Sequence, residues 1–138
     1  MILGVGVDVV DVAAFREQLA DAASRFATGV FTIGERQAAA SRASGDAARH
    51  LAARFAAKEA FVKAWSTARF GRPPAWRAID LRSIEVIQDA WGRPALRFDD
   101  ALSEALRAAA PWRAHVSLSH DGAVAIATVL LEGAGPLD

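Results

Sequence analysis

The 138-residue sequence contains no cysteine, which excludes disulfides, thiolate metal sites and thiol catalysis together. It also lacks a net charge. Sixteen basic and sixteen acidic side chains cancel, so nothing global draws the chain to nucleic acid and any anion site must be local. No apolar run approaches the ~18 residues of a membrane-spanning helix. The amino terminus, MILGVGVDVVD, carries no basic segment and meets an aspartate at position 8. That does not fit a signal peptide, and a cytoplasmic location is expected. Apolar residues, in contrast, are plentiful. A hydrophobic content of 53% suits one globular domain over residues 1–138 with a proper core. Residues 133–138 are expected to form a loose tail.

The strongest helix signal is Arg49 to Trp65, RHLAARFAAKEAFVKAW, with six alanines and neither glycine nor proline. On a helical wheel Leu51, Phe55, Val62 and Trp65 form a core-facing stripe. Lys58 lies inside that stripe, with Glu59 and Lys63 on its flank. A helix that only packs does not need three charges along its buried edge. Packing alone still has an explanation for them, since Glu59 and Lys63 form a favourable i,i+4 pair worth roughly 0.2–0.5 kcal/mol. Lys58 can also extend from an apolar stripe to water.

Around this helix the spacing predicts alternating strands and helices. Ile2 to Val10 reads as a buried strand with Leu3, Val5, Val7 and Val9 on one face and Gly4, Gly6 and Asp8 on the other. The glycines permit another backbone or a ligand to come close beside Asp8. Asp11 is an N-cap candidate for a first helix carrying Val12, Phe15, Leu19 and Phe26. Thr32 to Glu35 has the capping-box pattern, which gives Glu35 a structural role. Phe70 to Pro74 is a loop. Leu81 to Gln88 and Ala95 to Phe98 form a hairpin around Asp89 to Pro94, and Asp99 or Asp100 caps a further helix. Ala114 to Ser119 and Ala123 to Leu131 form a second hairpin around Asp121-Gly122. The expected fold class is α+β, with a mainly antiparallel sheet packed against a long central helix.

Asp8 and Glu59 are the carboxylates in unusual places, and they meet if the central helix packs on the first strand. Two oxygen ligands without cysteine suit Mg²⁺ better than Zn²⁺. Arg54, Lys58 and Lys63 could then neutralise substrate phosphates. A buried salt-bridge cluster is the structural alternative. His115, Ser117 and Ser119 share one strand face, whereas His120 has the opposite parity, so the two histidines cannot chelate one metal from a regular strand. No G-x-S-x-G elbow precedes any serine, which leaves a serine-hydrolase triad without support.

GVGVDVVD, FTIGE, RFAAKEAFVKAW, WGRP and HVSLSH occur in this order, and the chain thereby resembles the holo-[acyl-carrier-protein] synthases, the small 4′-phosphopantetheinyl transferases. The resemblance runs from residue 2 to about residue 132. It implies the fold of that family and a reaction in which coenzyme A donates its phosphopantetheine arm to a serine of apo acyl carrier protein. It implies Asp8 and Glu59 as Mg²⁺ ligands and Lys63 as a phosphate contact at the reacting centre. His115, with Ser117 on its strand, falls in the coenzyme site, and Gly92, Arg93 and Pro94 of the WGRP turn fall near the adenylate. Arg54 and Lys58 become further anion contacts. The resemblance also implies a homotrimer with sites between subunits.

Two departures bear on function. Ala14 stands near where many members have an arginine on the first helix, which docks the carrier protein, with Arg16 and Arg25 nearby, and Ser66 stands where the family often has the glycine of K-A-x-G. A non-catalytic carrier-protein or nucleotide-binding module, or a domain of a larger synthase, is the competing interpretation. The presence of Asp8, Glu59 and Lys63 weighs against loss of activity.

Overall fold

The computed structural model describes residues 1–107, 109 and 111–137. In chain order the elements are β1 (Ile2–Asp11), α1 (Val12–Ala20), α2 (Phe26–Val30), α3 (Ile33–Ala40), α4 (Ala47–Ala68), β2 (Ile84–Gln88), β3 (Pro94–Phe98), α5 (Asp100–Arg107), β4 (Trp112–Asp121) and β5 (Val124–Gly133). An antiparallel three-stranded sheet in the order β1-β5-β4 and a two-stranded hairpin β2-β3 make up the β structure. The expected α+β class with an antiparallel sheet against a long helix is what forms.

α4 is long because nothing in its sequence interrupts it. Asp46 caps its start by accepting from Arg49 N at 3.0 Å, and its alanines let it lie directly on the sheet. The contact with β1 is backbone to backbone. A Cβ at Gly6 would stand 1.9 Å from the Ala60 carbonyl oxygen, and one at Gly4 would stand 2.1 Å from that of Ala64. Only glycine permits this approach. β1 is an edge strand, and α4 satisfies its free edge as well. Thr67 Oγ1 accepts from Val5 N at 3.2 Å, and Lys63 Nζ donates to Val7 O at 3.1 Å.

The buried surface of α4 is wider than the expected stripe. Leu51 and Trp65 are buried, but Phe61 is the aromatic with no exposure, and Phe55 and Val62 are only partly covered. The helix touches the sheet on one side and the β2-β3 hairpin on another, so a single-stripe wheel underestimates it. Phe61 packs against Phe98 at 4.8 Å and Trp65 against Trp112 at 5.1 Å between ring centroids. On the other flank Phe15, Phe26 and Phe55 meet edge-on or tilted at 5.4–5.8 Å.

Other boundaries shift for local reasons. Phe26 belongs to a separate short helix, because the first helix stops at Asp21. Leu81–Ser83 is a 3-10 turn opened by Asp80 rather than the start of the strand. β1 is buried on one face only, and Val5, Val7 and Val9 of the other are 49%, 48% and 58% exposed. The loose tail is not observed in the described part of 133–137, while position 138 lies outside the described residues. Leu137 is 1% exposed within the core, and its carbonyl accepts from Arg72 Nη1 at 2.8 Å. No helix among the described residues is long and apolar enough to cross a membrane.

Because Leu137 is enclosed, Leu137→Ala should lower the free energy of unfolding by about 2–5 kcal/mol, the range for removing a buried leucine side chain. Urea denaturation measures it, and a change within error would return the segment to the status of a tail.

Candidate active site

α4 separates two clefts. On one flank β1, α1 and α4 enclose a cleft of about 400 Å³ that includes Asp8, Ala14, Phe15, Phe55 and Glu59. The parity of β1 turns Asp8 towards α4 along with the glycines, and Glu59 stands one residue before the Ala60 that covers Gly6. The close helix–strand contact therefore brings the two carboxylates to one place. Burial raises the Glu59 pKa, and the Asp8 charge raises it further, with Lys63 opposing. Lys63 does not pair with Glu59 as a simple i,i+4 neighbour. Its ammonium bonds Asp8 Oδ1 at 2.8 Å and is half exposed.

On the other flank a cleft of about 540 Å³ lies between the start of α4, β4 and the β2-β3 turn. Arg42, Arg49, His50, Arg54 and His120 line it against one carboxylate, Asp46. Arg49 and Arg16 both pair with Asp46, at 3.4 and 3.0 Å. Arg54 is 5% exposed and donates to His50 O at 3.3 Å. Burial and the Arg42 charge lower its pKa to about 10, which leaves it cationic at neutral pH. The hairpin wall is fastened by Gln88, which accepts from Arg42 Nη2 at 2.6 Å and donates to Gly92 O at 2.9 Å. Gly92 turns the chain at φ 81. Clustered guanidinium groups of this kind can bind a phosphorylated ligand.

The residues singled out from sequence divide among these places. Asp8, Glu59 and Lys63 come together at the first cleft, and Arg54, Gly92 and Pro94 line the second. Arg93 turns aside, stacking on Trp91 at 5.0 Å and pairing with Asp89 at 2.5 Å. His115 and Ser117 lie on the outer face of the sheet, away from both clefts, where His115 Nε2 stands 3.0 Å from Glu132 Oε2. Lys58 is a correction. It has no exposure, and its ammonium is enclosed by Glu35 Oε1 at 2.6 Å, Val30 O at 2.6 Å and Leu81 O at 3.0 Å. Three donors with three protein acceptors leave nothing for a phosphate. Glu35 has the structural role expected of it. It completes the capping box with Thr32, and Oε2 accepts from Val86 N at 3.0 Å.

Sequence reasoning missed Arg42, Arg49, His50 and the placement of His120. The cluster Arg49-His50-Arg54 at the start of the helix was visible, but its partners come from a loop and from the end of β4. Among the described residues no group of three or more His, Asp or Glu forms a ready metal cage.

The fold has counterparts in known proteins. A family model described as the 4′-phosphopantetheinyl transferase superfamily matches residues 4–129, and the chain belongs to that superfamily. More particularly, it is similar to the holo-[acyl-carrier-protein] synthases. One from Mycobacterium sp. (strain KMS) is 48% identical over 131 residues, covering 95% of this chain and 97% of its own. That of Mycobacterium tuberculosis is 47% identical with the same coverage. Among solved structures, the ACPS–CoA complex of Chronobacterium ammoniagenes aligns with a TM-score of 0.85 at 39% identity, covering 96% of this chain and 98% of that one. The acyl carrier protein synthase of Mycobacterium tuberculosis aligns at 0.74 and 43% identity, covering 97% and 100%.

The charges at the first cleft make a signed expectation for Glu59. Its folded pKa should lie above the ordinary glutamate value, so its ionisation opposes folding as pH rises through and beyond that value. Asp8→Asn should bring the pKa down towards that value, and Lys63→Met should move it further up. Carbon-13 titration of the Glu59 carboxyl measures all three. Identical pKa values in the three proteins would mean that the groups do not share a site.

Proposed function

We propose that this chain transfers the 4′-phosphopantetheine arm of coenzyme A to a serine hydroxyl of an apo acyl carrier protein, a cytoplasmic step serving fatty acid biosynthesis. The observation that carries the proposal is an acidic cleft and an arginine-rich cleft flanking one helix in a member of this transferase superfamily. The carrier serine oxygen forms a bond to the phosphorus of the arm. The bond from that phosphorus to the bridging oxygen breaks, and the electron pair leaves with adenosine 3′,5′-bisphosphate. The hydroxyl proton passes to water or to Glu59, whose raised pKa suits a proton acceptor.

The residues at the first cleft fit Mg²⁺. Asp8 and Glu59 supply hard oxygen donors, and the repulsion between them is what a bound cation relieves. When bound there, Mg²⁺ would polarise phosphate oxygens and offset their charge. Lys63 holds Asp8 in place and sets a positive charge at the cleft rim. In the second cleft Arg54, with Arg42 and Arg49, binds the nucleotide phosphates, and Gly92 and Pro94 frame the adenylate. The exposed Ala14 at the first cleft leaves room for the carrier. Arg16 is engaged with Asp46, so Arg25 is the freer of the two arginines for docking it.

The same reading makes the active form a homotrimer with shared sites. Register puts Val5, Leu130 and His115 in one row of the outer sheet face, Val7, Thr128 and Ser117 in the next, and Val9, Ile126 and Ser119 in the third. Its β1 side is apolar and exposed, as a surface awaiting a second copy is. Asp8 faces the opposite side of that sheet. His115 can join an Asp8 centre only from another subunit, and one coenzyme can engage both an acidic and a basic cleft in the same way. Three copies, in preference to two, follow from the family resemblance.

Incubating the protein with apo acyl carrier protein, coenzyme A and Mg²⁺, then weighing the carrier, tests the transfer; an unmodified carrier would refute it. Asp8→Asn and Glu59→Gln should each reduce turnover by at least about two orders of magnitude without unfolding the protein. Asp8→Asn mixed with His115→Ala should recover activity that neither has alone. Light scattering should report about three times the 14.6 kDa chain mass. A fully active monomer would rule out the shared site.

A further inference from the structure

His50 stands out because its hydrogen-bonding capacity is unused. The residue is 9% exposed, lines the basic cleft, and its Nε2 is sealed from solvent with no partner among the described residues. Its neighbours are cations, Arg54 one helical turn along and Arg42 from the loop before the helix. An imidazole that merely packed would be expected to reach a carbonyl or carboxylate, since buried polar groups are hydrogen-bonded in all but a small minority of cases. A half-turn about the Cβ–Cγ bond exchanges each ring nitrogen with a ring carbon, so the free protein gives no hydrogen bond to fix the ring in either orientation.

We propose that His50 is a direct hydrogen-bonding contact for the nucleotide half of the coenzyme, made when its ring turns a nitrogen towards a nucleotide that has entered the cleft. This rests on the assignment of the cleft to the nucleotide made above. The three arginines that line the cleft offer donors only. Gln88 uses its carbonyl on Arg42 and its amide on Gly92, and Asp46 accepts from Arg16 and Arg49. Ser44, Ser119 and His120 also line the cleft but are exposed to water, whereas His50 is buried. A heteroaromatic base needs an acceptor as well as donors, and a neutral imidazole supplies one of each. His50 stays neutral here because burial, then the charges of Arg54 and Arg42, lower its pKa to about 4. The free ring therefore adds no charge to a site already rich in it. It contributes discrimination, where the arginines contribute attraction.

The probe is adenosine 3′,5′-bisphosphate alone, without metal or carrier protein. The chain has three histidines, so nitrogen-15 spectra assign each ring by substitution. On adding the nucleotide, His50 should pass from averaged tautomers to a single one with hydrogen-bonded shifts. His50→Phe should weaken binding about tenfold, the order of one ligand hydrogen bond, while His50→Gln, which keeps a donor and an acceptor, should retain most of the affinity. Unchanged His50 signals at saturating nucleotide, or wild-type affinity in His50→Phe, would overturn the assignment. If His50→Phe does not fold, the wild-type spectrum alone decides. Failure of the nucleotide to bind the wild-type protein at all would instead refute the assignment of the cleft, and with it this role of His50.

Discussion

The structure depends on the direct contact of the α4 backbone with β1 at Gly4 and Gly6. Ala60 and Ala64 present carbonyls where any side chain on the strand would stand. A helix held at that distance cannot slide or rotate without a clash, because close-packed surfaces accommodate displacement poorly. Its position fixes that of Glu59, one residue from the contact, opposite Asp8, two residues along the strand from Gly6. The acidic cleft is thus a consequence of two missing side chains. Lys63 and Thr67, one and two turns further along, occupy the free edge of β1 and keep the register.

The other flank of α4 is set by a charge in the interior. Lys58 joins α4 to the end of α2, to Glu35 of α3 and to the chain entering β2. Removing one partner of such a pair leaves an uncompensated buried charge, at a cost of about 3–5 kcal/mol. Glu35 meanwhile caps its own helix and receives the Val86 amide. Four segments are thereby held around the start of β2, and the hairpin that begins there closes the basic cleft through Gln88 and Gly92. A lysine in the phosphopantetheinyl transferase helix motif has an architectural task, next to a glutamate that lines the acidic cleft and a lysine that bonds Asp8.

Much of this was legible in the sequence. The glycine face of β1 foretold a close approach, the Thr32–Glu35 box foretold a cap, and the motif order foretold the superfamily. Lys58 was misread because a wheel shows which side a residue occupies but not what covers that side. Leu137 was misread because a chain end with glycine and proline carries no pattern, and its anchor, Arg72, is distant in sequence. The basic cleft was half legible. Arg54 and the WGRP turn were found, while Arg42, His50 and His120 are joined only by tertiary structure. The exposed valines of β1 looked like core because strand alternation gives two faces without saying that one of them stays exposed.

The most direct test of this arrangement is the turnover of Gly6→Ala per folded molecule, measured on protein whose folded fraction is known from circular dichroism. A Cβ at 1.9 Å from the Ala60 carbonyl must push α4 off β1 and part Glu59 from Asp8. The expected result is a variant that is less stable and, even when folded, close to inactive. Wild-type turnover with an unchanged melting temperature would contradict the dependence of the site on that contact.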